Sequence, residues 1–283
     1  NLYGFASGAS VSPLLAELYL NAAENLSVTA VGKLGTLLPC DPDAIGEPQC
    51  AKQFVEHFGK RASRRPLVEL KVDELYGLYD HERQAGEGFA TALELVMTAV
   101  LQSPRFLYRV ELGAPGEKNM APLTSYEIAS RLSYFLWQTM PDEELFAAAE
   151  SGELSDPAAV GEQARRMLAD PRAHSGMRDF FEQWLRVSEL ESVGKGERAY
   201  PTFDEALAAS MAEETRRFVD EVLWKGDARL ETLLTASFTF VNSDLALLYG
   251  VADPGTGWKR VELDPKERSG LVTQPGLMTV LAG

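Results

Sequence analysis

Apolar residues recur at intervals of three and four through most of the chain, and run after run begins at a residue suited to cap a helix. That period gathers side chains on one face of a helix, so a chain patterned this way buries its apolar surface by packing helices. Ser12-Pro13 is a start signal, and Leu15, Leu18, Tyr19, Ala22 and Leu26 follow on one face. Phe89, Leu93, Val96, Met97, Val100 and Leu101 make a core stripe. Thr124 and Glu127 form a capping box ahead of Ile128, Leu132, Phe135 and Leu136. Pro141-Asp142 and Asp156-Pro157 each open a helix, and Met177, Phe180, Phe181, Trp184 and Leu185 give the heaviest apolar stripe. Asp204 starts a long helix through Leu207, Met211, Phe218, Val222 and Leu223; Asn242 caps a short one through Tyr249. Phe238 to Val241 and Arg260 to Leu263 read as extended, each about one short strand long. The expected fold is all-α: a multi-helix bundle of about ten helices in two packed sub-domains, with at most short extended segments.

Pro/Gly-rich joints at 38–48, 113–122, 194–201 and 253–257 suggest the organisation. Residues 1–38 read as the end of an N-terminal helical domain, and 39–113 as a small helical domain with a cysteine loop. Residues 120–252 read as the main helical domain and 253–283 as the start of a C-terminal one. With Asn1 at its head and no helix stop at its end, the chain is expected to be part of a longer polypeptide. Its 283 residues, 45% hydrophobic, suffice for a core without metal. Acidic residues outnumber basic ones 42 to 27, a net charge of −15, which argues against nucleic acid as a partner. No apolar run is long enough to span a membrane; the longest, Ala92 to Leu101, contains Glu94.

Cys40 and Cys50 bound an eleven-residue loop with two prolines and a glycine. A disulfide is expected there, implying an oxidising compartment; the alternative is two free thiols in a reducing one. The same loop carries Asp41, Asp43, Gly46 and Glu47, but Ile45 and Lys52 occupy the fifth and twelfth positions of a calcium loop, so a solvated acidic turn is expected. Gly194-Lys195-Gly196-Glu197-Arg198-Ala199 matches a loose dinucleotide pattern without the preceding strand and following helix that the chemistry needs. His57, His81 and His174 are scattered, and no metal site is expected.

Two polar stripes can place carboxylates for acid–base work: Glu127, Arg131, Tyr134 and Gln138, and Glu213, Glu214, Arg217 and Glu221. The simpler reading of both is an exposed helix face tied by Glu-to-Arg pairs. Arg61, Arg64 and Arg65 are the densest basic cluster, suited to an anion or, more commonly, to a helix end.

Several stretches together resemble a known family. They are Cys50-Ala51 through Phe58-Gly59-Lys60-Arg61-Ala62, Arg64-Arg65-Pro66-Leu67, and Leu101-Gln102-Ser103-Pro104-Arg105-Phe106-Leu107-Tyr108-Arg109. Glu127-Ile128-Ala129-Ser130-Arg131-Leu132-Ser133-Tyr134-Phe135-Leu136-Trp137, Phe240-Val241-Asn242 and Arg268-Ser269-Gly270-Leu271 continue the series. Their order is similar to large exported proteins of planctomycetes and myxobacteria that carry domains of unknown function 1595 and 1592. Ser63 stands where that family often has an aromatic. The resemblance implies export to the periplasm or cell surface and association with a c-type cytochrome. The chain holds no Cys-x-x-Cys-His, so haem c would reside in a domain or partner chain outside this sequence.

The expected function is therefore the helical body of an exported, redox-linked protein that packs against a haem-bearing domain or second chain. The alternatives are an extracellular polysaccharide-binding or hydrolysing module using Glu213, Glu214, Trp137, Trp184 and Trp224, and a non-catalytic assembly scaffold. Candidate catalytic residues are Glu127, Arg131 and Tyr134, chosen because the most specific stretch lies there; the family supplies no settled catalytic set.

Overall fold

The computed structural model describes residues 11–114, 121–192 and 202–281. Among them are fifteen α-helices and one two-stranded sheet. They run α1 (Pro13–Val31), α2 (Leu34–Leu37), α3 (Pro42–Ile45), α4 (Glu47–Ser63), α5 (Glu69–Gln84), α6 (Phe89–Leu101) and α7 (Pro104–Leu107). Then come α8 (Ser125–Leu136), α9 (Glu143–Glu150), α10 (Pro157–Leu168), α11 (Arg172–Trp184) and α12 (Glu205–Asp220). Last are α13 (Leu230–Thr235), β1 (Phe238–Val241), α14 (Ser243–Tyr249), β2 (Lys259–Glu262) and α15 (Pro275–Leu281). The all-α expectation holds. The helices beyond the expected ten include α2, α3 and α7, single turns of four residues and too short to display a period.

The chain divides into two compact units: residues 1–134 with 139–161, and residues 135–138 with 162–283. In unit 1, α4, α5 and α6 supply the core, with Phe54, Val55, Tyr79, Leu93, Val96 and Met97 almost wholly buried. α1 lies against α6, but not on the face its large residues suggested. Leu15, Leu18 and Leu26 are 37%, 54% and 58% exposed, whereas Ala23 and Ser27 are buried. Small side chains permit the closer helix approach, and that outweighs the apolar stripe here.

In unit 2, α12 is central, burying Leu207, Met211, Phe218 and Val219. It ends in a π-helical turn, Glu221–Lys225, that keeps Val222 in the core. β1 pairs antiparallel with β2 from Phe238↔Glu262 to Val241↔Lys259, close to the two segments read as extended. Trp137 is buried beneath the guanidinium of Arg172, 3.5 Å from its ring centroid, and its Nε1 donates to the Met167 carbonyl at 2.8 Å. The heavy stripe of α11 is only half internal: Phe181 and Leu185 are buried, Phe180 and Trp184 are each 50% exposed.

The Cys40–Cys50 disulfide is formed, with the two Cα atoms 5.7 Å apart. It joins the turn before α3 to α4, where Cys50 is fully buried. By chain entropy a loop this short contributes roughly 2.5–3 kcal/mol. The acidic residues of the loop act as turn formers: Asp41 accepts the Asp43 N–H at 3.0 Å, capping α3. No described helix is long and apolar enough to cross a membrane.

Candidate functional site

Glu127 occupies the third position of α8, where a capping box needs it. Thr124 donates its N–H and hydroxyl to Glu127 Oε2 at 2.8 and 2.9 Å, and its Oγ1 accepts the Glu127 N–H at 3.3 Å. The other oxygen turns back along the chain, accepting the N–H groups of Leu112 at 2.8 Å and Gly113 at 3.2 Å. Burial alone would raise this acid, but the donors from Thr124, Leu112 and Gly113 outweigh it and hold the carboxyl at about 2. Arg65 Nη2 stands 3.4 Å from the same oxygen. Such a carboxylate is ionised and fully engaged at neutral pH, with no spare lone pair aimed at solvent.

Arg131 and Tyr134 have the same destination by different bonds. Arg131 is exposed and forks onto Glu111, Nε to Oε1 at 3.0 Å. The Tyr134 ring lies 4.6 Å from the Arg109 guanidinium and 5.7 Å from that of Arg64. The basic cluster works from the other side. Arg64, 5% exposed, donates to the carbonyls of Arg105, Phe106 and Tyr108, and Arg65 donates to Val110 at 3.1 Å. Arg61 pairs with Glu143. Three separated stretches thus converge on the end of α7 and the irregular segment that follows it, through residue 113, whose backbone groups would otherwise need water. The arrangement is a clamp, and it bridges the joint at 113–122, so the start of α8 groups with unit 1.

A second polar cluster lies inside unit 2, on a residue the sequence pattern had placed on a solvated stripe. Glu213, Arg217 and Glu221 do form such a face, with Arg217 Nε 2.8 Å from Glu213 and Lys225 Nζ 3.1 Å from Glu221. Glu214 does not: it is fully buried. Thr239 of β1 and Tyr249 at the end of α14 both donate hydroxyls to its Oε1, while Oε2 has no partner among the described residues. Burial pushes the Glu214 carboxyl up, against the two hydroxyl donors, to about 7. Burial and the neighbouring Glu214 push the Tyr249 phenol up as well. Arg268 covers the Tyr249 ring at 5.0 Å, and Thr215 donates to Gln274 Oε1 at 2.9 Å. An acid with one oxygen accepting twice and the other unpartnered matches the neutral carboxyl form. It can hold a proton, but sealed from solvent it reaches no substrate.

The sequence did contain a signal for Glu214. Leu207, Met211, Glu214, Phe218 and Val222 follow one another at spacings of four, three, four and four, so Glu214 sits on the apolar stripe itself.

The remaining candidates are placed as follows. His174 is exposed and stacks on Trp224, ring centroids 3.9 Å apart, and no group of three His, Cys, Asp or Glu suited to a metal occurs among the described residues. The Gly194–Ala199 pattern lies outside the described residues. Gln138 adopts a positive φ of 56° just beyond α8. Trp184 stacks with Phe180 at 6.0 Å, and Phe135 is 73% exposed.

Fold and sites define a class: a disulfide-closed, helical chain of two compact units in which Glu127, Arg64 and Arg65 serve to hold backbone. Residues 50–111 match the family model described as PSD5, protein of unknown function (DUF1595), and residues 123–251 match that described as PSD4, protein of unknown function (DUF1592). The two matched stretches follow one another along the chain without overlap. No curated protein and no solved structure matches it.

Proposed function

We propose that these 283 residues are the helical body of an exported, redox-linked protein associated with a c-type cytochrome, packing against a haem-bearing domain or chain outside this sequence. The observation that carries the reading is the aromatic surface of unit 2. Gly176 seats α11 on the backbone of Leu136, where an added Cβ would come within 2.4 Å of the Leu136 carbonyl. Phe180 stands one turn beyond that contact on α11 and stacks on Trp184, both rings half exposed, and the ring of Phe135 beside Leu136 is exposed as well. Aromatic side chains left in water are enriched where a partner docks.

Two further observations support the reading. The disulfide suits an oxidising compartment. The order of the two family domains resembles that of exported cytochrome-associated proteins, and the clamp around Glu127 commits the most specific residues to structure rather than to chemistry. The test is the visible spectrum of the native polypeptide containing these residues, isolated with whatever chains accompany it. A Soret band from covalently held haem supports the proposal, and a colourless native assembly overturns it.

The stacked Phe180–Trp184 pair favours a second reading, a polysaccharide-binding module or scaffold, because ring faces also stack on sugars. Of the tryptophans considered for that role, Trp137 is buried and Trp224 is covered by His174. Binding of the intact chain to a glycan panel, lost on Trp184→Ala, would establish it over the first.

A further inference from the structure

We propose that a cleft in unit 1 is a binding site for a small aliphatic carboxylate. The cleft encloses about 250 Å³ beside α4, α5, α6 and α7. Its wall is apolar: Leu67, Leu75, Leu78, Ala99 and Val100. Three charged side chains line it as well, Lys71, Glu74 and Arg105. Lys71 Nζ and Glu74 Oε2 lie 2.8 Å apart and neutralise each other. Arg105 is different. Its N–H is accepted by Ser103 Oγ at 3.3 Å and its carbonyl accepts Arg64 Nη2 at 2.5 Å, so its backbone is pinned at both ends. Its guanidinium makes no hydrogen bond or ion pair with any described residue.

In a protein of net charge −15, nearly every other arginine named above is matched to a carboxylate, a carbonyl or a ring. An exposed cation without a partner, lining an apolar concavity, fits a ligand with one anionic head and a hydrocarbon body. Lys71, Glu74 and Arg105 together leave the lining one net positive charge, which suits a monoanionic carboxylate head rather than a dianion such as a phosphate monoester. An apolar cavity of about 150 Å³ takes a benzene ring, so the cleft's 250 Å³ has room for a short hydrocarbon chain such as that of octanoate.

The experiment titrates octanoate, octanamide and acetate separately into the disulfide-intact chain, read by calorimetry and by NMR shifts of the cleft residues. Octanoate is expected to bind at least about tenfold more tightly than either comparison, since one lacks the charge and the other the hydrocarbon. Arg105→Gln should reduce octanoate to the level of octanamide, with partial recovery in Arg105→Lys, and Ala99→Leu should weaken octanoate about tenfold by filling the wall. Circular dichroism checks that each variant is folded. If one is not, the three-ligand contrast on the unaltered chain decides alone. Equal binding of octanoate and octanamide, equal binding of octanoate and acetate, or indifference of octanoate to Arg105→Gln in a folded variant would overturn the proposal.

Discussion

Glu127 takes N–H donors from Leu112, Gly113 and Thr124, and Glu214 takes only two hydroxyls at one oxygen, although both side chains are buried. Their acidities diverge accordingly, to about 2 and about 7 from an ordinary 4.5. For Glu127 the folded form is the stronger acid, so the stability it lends is complete above the unfolded value and is lost as pH falls toward 2. Glu127→Ala leaves the donors of Leu112 and Gly113 without an acceptor and should cost about 3 kcal/mol at neutral pH, measured by denaturant unfolding. A loss below about 1 kcal/mol would contradict the clamp.

For Glu214 the sign is opposite. The folded state holds the proton more tightly than the unfolded one, so stability is complete below 4.5 and declines as pH rises to about 7. The decline amounts to about 3 kcal/mol at ~1.4 kcal/mol per pH unit. Glu214→Gln keeps the shape without the charge, and the difference between its unfolding curve and the wild type's should vary with pH over that window. A constant difference would show that Glu214 does not titrate there. Local pattern carried the Thr124 capping box and the place of Glu214 on an apolar stripe, but not Leu112 and Gly113 for Glu127 or Thr239 and Tyr249 for Glu214, all of them tertiary partners.

At the scale of the element, starts were legible, and buried faces were legible for α6 and α12 but not for α1, α8 or half of α11. Ser12, Asp142, Asp204 and Asn242 each accept the N–H three residues on, as the sequence predicts, because a cap is completed within its own turn. Which face is buried depends on the neighbour. α8 turns Ala129, Ser133 and Leu136 inward and leaves Phe135 exposed, against the stripe of Ile128, Leu132, Phe135 and Leu136 expected from spacing. The contact of α11 with the end of α8 at Gly176 is one such constraint, invisible to periodicity. Gly176→Ala should therefore be destabilising despite its favourable helix propensity, by about 2 kcal/mol, since the Leu136 backbone cannot yield as a side chain can. Thermal unfolding reads this directly; a stabilised Gly176→Ala variant would rule out the close crossing.

For the whole molecule, each unit has its own apolar cluster, around Phe54, Leu93 and Met97 in one and around Met211, Phe218 and Leu245 in the other. The acidic excess that argues against nucleic acid is partly tied up on helix surfaces, as in the pairs of Arg217 with Glu213 and Lys60 with Glu150. On the function proposed above, the exposed rings of Phe180 and Trp184 are the surface that meets a partner. The decisive measurement is the haem recovered with the native polypeptide, per mole of chain, before and after Phe180→Ser and Trp184→Ser are introduced together. The wild type should carry covalently held haem, in its own polypeptide or in a chain that accompanies it. In the double variant, still folded, that haem domain should lose its protection from protease, or the accompanying chain should be lost. Unchanged haem content with unchanged protection, or no haem in the wild type at all, would contradict a role for this helical body in packing against a cytochrome.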